Sequence, residues 1–433
     1  MFLGIDIGTT SIKALVVQEE GKIMDSFSRP LQVFSPDSLS REQDPQHWQE
    51  AVLALLHQVS ERHEIVSIGL AGQMHSLVLL DDRDRPLRPS ILWCDQRTTE
   101  ECRKLTEKLG GESEVIRRVG NPFFEGFTLP KIQWVKTHEP ENYRNACSIL
   151  LPKDYIGFLL TGEKGTDPSD ASGTGAFCVN AEKWDDELLT LCEIAPSLFP
   201  KVTPSDSLRG FLRKDLSERF GWEKVRVITG GADNPVAALG AGVDDPGLGM
   251  ISLGTSGTVV VSTKSEVPDP TGRVHYFHHA LPRIRYYMGV MLSATHSLDW
   301  FLSRFGKKDS WSEFETAIGN SVAGSRGLLF LPYLNGERTP HRDPDARGVL
   351  FGISSTHTEG EAYRCILEGI AYGLRDSYEL IKALTPIKRL RVVGGGAKNR
   401  TWVRIIASNL STPLELLETD QGAAYGAAML AAN

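Results

Sequence analysis

Two short phrases, 246 positions apart, constrain this chain more than any other feature. The first is Gly4-Ile5-Asp6-Ile7-Gly8-Thr9-Thr10 and the second Ile251-Ser252-Leu253-Gly254-Thr255-Ser256. Asp6 aligns with Ser252, Gly8 with Gly254 and Thr9 with Thr255. Each phrase follows a short apolar run and precedes another, at residues 12–17 and 258–261. The pattern reads as strand, Gly-Thr turn, strand. Such a tip offers backbone N–H groups and hydroxyls to an anion with no bulky side chain in the way. Two tips facing each other would grip a polyphosphate from both sides. The repeat therefore speaks at once for duplication, for an α/β fold and for nucleotide use.

A chain of 433 residues is too long for one core, since single cores stop growing at about 250–300 residues. Two domains are expected. With 41% hydrophobic and 24% charged residues the composition is that of an ordinary globular protein. A net charge of −8 without any basic block argues against nucleic acid as a partner. Phosphates remain accessible to an acidic chain through backbone amides and a metal ion. The six cysteines, Cys94, Cys102, Cys147, Cys178, Cys192 and Cys365, form no Cys-x-x-Cys pair. Scattered thiols of this kind read as reduced, hence a cytoplasmic compartment. Asp6 inside the first apolar run argues against a signal peptide. The absence of any apolar run of about 18 residues argues against a membrane span.

Residues 2–29 read as a three-stranded meander. Asp44-Pro45 starts a helix, with Asp as N-cap and Pro at the first helical position. Trp48, Ala51, Val52, Leu55, Leu56 and Val59 form its apolar stripe. A strand over 65–70 ends in Ala71-Gly72-Gln73-Met74-His75, and one over 225–228 leads into Gly230-Gly231-Ala232-Asp233-Asn234-Pro235. Ala237, Ala238, Gly240 and Ala241 predict a helix packed closely on a sheet. The second half repeats this order, with a helix over 361–383, a strand over 390–393 and the turn Gly394-Gly395-Gly396-Ala397-Lys398-Asn399. A last small-residue helix over 422–432 follows Asp420. Asp6 to Asp233 spans 227 positions and Ser252 to Asp420 spans 168, so the first half carries an insertion of about 60 residues. The expected domains are 1–244, with an inserted subdomain at about 95–215, and 245–433, meeting at Asp244-Asp245-Pro246-Gly247.

No Walker A motif exists, because Gly21-Lys22 and Gly306-Lys307 lack the following hydroxyl residue, and no protein-kinase signature set appears. Phosphate binding then rests on the paired hairpins: Gly8, Thr9 and Thr10 on one, Gly254 and Thr255 on the other. Asp6 is an acid within an apolar strand. It reads either as a strand-end carboxylate satisfied by amides or as a Mg²⁺ acceptor, since Mg²⁺ is held by one or two carboxylates plus substrate phosphates. Lys13 either shares that hairpin's work or is solvated. Asp233 follows a strand and two glycines and precedes a helix. It is either that helix's N-cap or the carboxylate that takes a proton from an attacking hydroxyl. Gln73, Met74 and His75 lie at the C-terminal end of a strand, where open α/β sheets place ligands. Gln73 and His75 offer directional hydrogen bonds to sugar hydroxyls. His275, His278 and His279 lack a matching ligand set for zinc. The turn at Gly395, Gly396 and Ala397 lets a base or ribose lie against the backbone, with Asn399 as a hydrogen-bonding partner. Trp300, on a helix after the second hairpin, serves either the nucleotide pocket or the core.

The set resembles the FGGY family of carbohydrate kinases, in the superfamily that also holds actin and the heat-shock chaperone ATPases. The resemblance covers essentially the whole chain. Gly126-Phe127-Thr128-Leu129-Pro130-Lys131-Ile132-Gln133-Trp134 looks like the family's first signature, and Gly348-Val349-Leu350-Phe351-Gly352-Ile353 opens the second. Glu42-Gln43-Asp44-Pro45, Ile91-Leu92-Trp93, Leu151-Pro152-Lys153-Asp154-Tyr155 and the stretch from Pro332 to His341 look most like members acting on D-xylulose. Ser76 stands where glycine is common in those members, and glycerol kinases carry a different element at Gln73-Met74-His75. Such kinases usually continue for several dozen residues past the last small-residue helix, whereas this sequence stops at Asn433. The resemblance implies two actin-like (ribonuclease H-like) α/β domains flanking a deep ATP and sugar cleft. It implies Asp233 as catalytic base, with Gln73, Met74, His75, Trp93 and Asn234 toward the sugar. It implies Gly254, Thr255, Gly396, Ala397 and Asn399 toward ATP, and Asp6 near Mg²⁺. The rivals are a kinase for another ketose or polyol, such as ribulose or glycerol, and a non-metabolic ATPase of the same superfamily. A homodimer is the usual prior.

Overall fold

The computed structural model describes residues 1–305, 311–417 and 421–433. Gly306, Lys307 and Asp420 lie outside the described residues. Each half of the chain builds one mixed sheet on a shared plan. In the first, β1 (Phe2–Ile7), β2 (Ser11–Val17) and β3 (Ile23–Pro30) form the expected meander. Next, α1 (Pro45–Ser60) starts where Asp44 accepts the Gln46 N–H as N-cap, and it buries Trp48, Val52, Leu55, Leu56 and Val59. Strand β4 (Ser67–Gly72) returns parallel to β1. With β5 (Leu208–Phe211) and β6 (Arg226–Ile228) the order is β5-β6-β4-β1-β2-β3, and Gly231–Ala232 adds a short pairing along β4. Helix α2 (Asp233–Gly240) ends the half.

The second half runs β7 (Leu248–Leu253), β8 (Gly257–Thr263), β9 (His275–His278), β10 (Arg285–Met291), α3 (Thr295–Phe305), α4 (Glu359–Leu384), β11 (Arg389–Val393), α5 (Arg400–Leu410), β12 (Leu414–Leu416) and α6 (Gly422–Ala432). Its sheet order is β9-β10-β8-β7-β11-β12. β7 pairs antiparallel with β8 and parallel with β11, just as β1 pairs with β2 and β4. Both tips are closed by a bond from their glycine, the second in a turn one residue shorter. Gly8 donates its N–H to the Ser11 carbonyl at 3.1 Å, and Gly254 to the Ser256 carbonyl at 3.1 Å.

The halves interlock through their small-residue helices. α6, the last element of the chain, lies on the first sheet. A Cβ on Gly4 would stand 1.9 Å from the Ala424 carbonyl oxygen, and one on Gly69 1.9 Å from that of Ala427. α2 crosses α6 so tightly that a Cβ on Gly426 would stand 1.9 Å from the Val236 carbonyl oxygen. Only glycine permits such backbone contact. Ala238 of α2, with Ala241 and Val243 just beyond it, joins Met250, Val260 and Val393 of the second sheet in one buried cluster.

The segment between β4 and β5 has a core of its own, in which Leu105, Val115, Val119, Leu129, Ile132 and Val135 pack together. It also bonds directly to the second half. Asn121 exchanges two hydrogen bonds with the Tyr276 backbone at 2.7 and 3.0 Å, and Glu112 pairs with Arg342 at 2.6 Å. These contacts tie the segment to the second half.

Candidate active site

A cavity of about 240 Å³ opens where the two halves meet. Pockets for drug-sized ligands run at roughly 300–1,000 Å³, so this one suits a smaller molecule. The first half contributes Met74, His75, Trp93, Phe127, Asp233 and Asn234, and the second contributes Ser256, Thr258, Met288 and Arg338. Five of the residues that the resemblance assigns to sugar or catalysis are therefore brought together. Gln73 is not among them. It is buried beneath the first hairpin, where its side-chain amide donates to Gln43 Oε1 at 3.1 Å and its oxygen accepts from Ser76 at 3.2 Å and Thr9 at 3.4 Å. Gln43 in turn donates to the Thr9 carbonyl at 2.7 Å.

Asp233 opens α2, and its Oδ1 accepts from the Asn234 backbone at 2.7 Å and side chain at 3.0 Å. Burial lifts its pKa to about 7, the nearby Asp6 carboxylate adds to the rise, and the bonds from Asn234 oppose it. A carboxylate held at this value can accept a proton near neutral pH. Just before it, the Ala232 N–H donates to Ser169 Oγ at 2.9 Å, and Ser169 donates to the buried Asp167. Lys153 pairs with Asp167 at 3.2 Å and with Asp154 at 2.6 Å, so a buried charge network braces the strand end that presents Asp233.

His75 sits at φ 67°, in the left-handed region, which turns its ring back over the cavity. Its Nδ1 donates to the Gly173 carbonyl at 2.5 Å and its ring stacks on Phe127 at 4.7 Å. Burial drives its pKa to about 3, so it is neutral, with Nε2 as the acceptor. Arg338 enters from a loop of the second half and lies 5.5 Å over the Phe124 ring. Its guanidinium has no hydrogen-bond or ion-pair partner among the described residues, and burial lowers its pKa. Phe124, Phe127, Ser256, Thr258, Met288 and Arg338 were not read as site residues from sequence. Phe127 and Arg338 lie in stretches that carry the resemblance, whereas Met288 has no local signal.

Asp6 stands at the end of β1, opposite Lys13 of β2. Burial raises its pKa to about 6, against the pull of Lys13. Asp6 Oδ1 is buried without a hydrogen-bond partner. An unmet, partly protonated carboxylate beside Asp233 fits a hard cation that would satisfy it. Lys13 donates to Gln421 Oε1 at 2.6 Å, tying the hairpin to the start of α6. Thr10 is exposed at the tip.

At the second hairpin, the N–H groups of Ala294 and Thr295 donate to the carbonyls of Thr255 and Gly254 at 2.9 and 3.0 Å. The start of α3 therefore fixes this tip. The glycine turn lies against β7: a Cβ on Gly396 would stand 2.7 Å from Leu253 Cβ, whereas one on Gly395 would meet nothing within 4 Å. Gly395 thus borders open space. Ala397 packs on the second core. Asn399 caps α5 by accepting the Trp402 N–H at 2.9 Å, and its Nδ2 is buried without a partner. Trp300 lines a separate cavity of about 440 Å³ with His296, Phe330 and Leu334, which none of the hairpin or glycine-turn residues borders. The three histidines near 275 face different neighbours: His275 stacks on Phe277, His278 bonds the Val179 carbonyl at 2.6 Å, and His279 accepts the Leu281 N–H at 3.2 Å.

A duplicated sheet and hairpin, closed over a cleft with a buried carboxylate, is the architecture of the actin-like ATPase fold. Two family models match the chain, the N-terminal domain of the FGGY family of carbohydrate kinases over residues 1–240 and its C-terminal domain over 249–433. The chain belongs to the FGGY family of carbohydrate kinases. It is 39% identical to the xylulose kinase of Staphylococcus xylosus over 99% of this chain and 90% of that one. The crystal structure of a "xyloylose kinase" from Brucella ovis superposes with a TM-score of 0.93 at 36% identity, covering 99% of this chain and 89% of that one. That of a gluconate kinase from Lactobacillus acidophilus superposes with a TM-score of 0.94 at 26% identity, covering 99% and 88%.

Proposed function

We propose that this kinase transfers the terminal phosphoryl group of ATP to D-xylulose, giving D-xylulose 5-phosphate and ADP. The observation that carries the chemistry is Asp233, a buried carboxylate with its pKa raised to about 7 in the wall of a small cavity. The choice of acceptor follows the names of the relatives at 36–39% identity.

The sugar occupies the cavity with its terminal hydroxyl toward Asp233. Asp233 accepts that hydroxyl's proton as the oxygen attacks the γ-phosphorus, and the bond to the β–γ bridging oxygen breaks. Phosphoryl transfer asks the protein mainly for position and charge stabilisation. At the two tips, Thr10 and Thr255 supply N–H and hydroxyl donors to the phosphates, and the open face at Gly395 receives the nucleoside. Neutral His75 accepts from a sugar hydroxyl through Nε2, while Arg338 donates to the sugar's other oxygens. Asp6 would hold Mg²⁺, which when bound would neutralise phosphate charge. Among the described residues no helix is long and apolar enough to cross a membrane. Six free thiols fit a cytoplasmic enzyme.

The test is ADP release with Mg·ATP across D-xylulose, D-ribulose, L-ribulose, glycerol and gluconate, against a no-sugar blank. Strong stimulation by D-xylulose is the expected result. Preference for another acceptor would overturn the assignment of the sugar while keeping the reaction, and no stimulation by any acceptor would remove the kinase reading.

A further inference from the structure

Trp93 belongs to two places at once. Its indole ring borders the cavity assigned to the sugar and is 39% exposed, so a bound acceptor would cover it. Its Nε1 donates to Thr9 Oγ1 at 2.9 Å, at the tip of the first phosphate hairpin, 84 positions away in the chain. Indole N–H is a donor only, so the threonine hydroxyl must be the acceptor. That leaves the Thr9 proton to go to Gln73 Oε1, 3.4 Å away. The hydroxyl's orientation is thereby set by two residues, one of which faces the acceptor cavity.

The anchor behind Trp93 is equally defined. Its backbone N–H donates to Ser76 Oγ at 3.1 Å, and Ser76 donates to the same Gln73 oxygen at 3.2 Å. The loop of the first family signature presses on it from outside, since a Cβ on Gly126 would stand 2.4 Å from the Trp93 carbonyl oxygen. The Trp93 backbone is therefore fixed, while the half-exposed ring is held by its hydrogen bond to Thr9.

We infer that Trp93 is a positioning residue that couples acceptor occupancy to the geometry of the first phosphate hairpin, acting through its indole N–H on Thr9. This rests on the reading of the cavity as the acceptor site and of the hairpin as a phosphate site. A kinase must hold back transfer to water until its acceptor is seated. An acceptor packed on the indole restrains the ring, and the restrained ring fixes the Thr9 hydroxyl. The consequence falls on turnover with the acceptor bound, more than on acceptor affinity.

The experiment is Trp93→Phe, which keeps an aromatic wall and deletes the N–H, measured in the full chain with the acceptor that best stimulates the unaltered enzyme. Expected are a fall in kcat of about tenfold, the rate worth of roughly one hydrogen bond, with the acceptor KM changed by less than about threefold. The same comparison in a Thr9→Val background completes the cycle, and there Trp93→Phe should have almost no further effect. A loss carried by KM alone would make Trp93 a plain sugar contact and overturn the inference. So would additive losses in the cycle, or an unchanged kcat. Acceptor stimulation of the unaltered enzyme is read first; its absence would count against the proposed function itself, whereas its presence with an inert Trp93→Phe counts only against the coupling.

Discussion

Asp6 and Asp233 stand two strands apart at the same end of the first sheet's strands: Asp6 pairs with Ala71 on β4, and Ala71 pairs on its other side with Gly231, two residues before Asp233. Both carboxylates are held above their ordinary range, chiefly by burial, and Asp6 adds to the rise at Asp233. The pair concentrates negative potential where a cation and a reacting hydroxyl would meet.

The base must be ionised to work. With Asp233 near 7 in the free enzyme, kcat/KM should rise with pH through about 7 and level off above it. Asp233→Ala should lose about 10²–10⁴-fold in kcat and keep nucleotide binding. A pH profile flat from 5.5 to 8.5 in the unaltered enzyme, or wild-type turnover by the alanine variant, would end the assignment.

Asp6 carries a stability cost whose sign follows from its shift. Its proton is bound more tightly in the folded chain than in the unfolded one, so stability falls as pH rises from the ordinary carboxylate value of 3.8 to about 6 and stays reduced above that. Asp6→Asn should therefore raise the melting temperature of the ligand-free protein at pH 8, by the equivalent of about 3 kcal/mol, with the gain vanishing near pH 4. Mg·ATP-dependent turnover should collapse in the same variant. Equal melting temperatures at pH 8 would contradict this account.

Arg338 has its donors unmet and faces the cavity. Arg338→Met keeps much of the stem's packing on Phe124 and removes the charge. The acceptor KM should rise about 10–100-fold, the worth of one charged hydrogen bond, with acceptor-independent ATP hydrolysis unchanged. An unaltered KM would show that the guanidinium does not reach the acceptor.

Two glycines separate fold from function. Gly426 has the Val236 carbonyl where a Cβ would go, and Gly395 has open space. Gly426→Val should destabilise by about 1–3 kcal/mol or more through overpacking. Gly395→Val should melt like the unaltered protein and bind ATP more weakly. Calorimetry with nucleotide titration reads both, and the reverse pattern would refute the placement of the nucleoside.

The strands, the first helix with its Asp44 cap and the two hairpin tips were legible because their signals are local. Apolar runs, a capping residue and a Gly-Thr turn act over a few positions, and the duplication repeats them in order. The small residues of 422–432 likewise announced a helix. Their sequence did not say what it packs against, because the partners Gly4 and Gly69 lie more than 350 positions earlier and steric fit carries no mark in composition. Gln73 read as a sugar ligand, yet the fold turns it under the hairpin beside Gln43, since strand-end position fixes a residue's depth but not which neighbour saturates its amide. The sequence by itself thus determined the duplicated α/β plan and the carboxylates at the strand ends. Only the tertiary structure decided that Arg338 and Met288 meet Asp233 around one cavity. Hydrogen bonds and burial depend on distances of a few ångströms, and those are set by how whole elements pack.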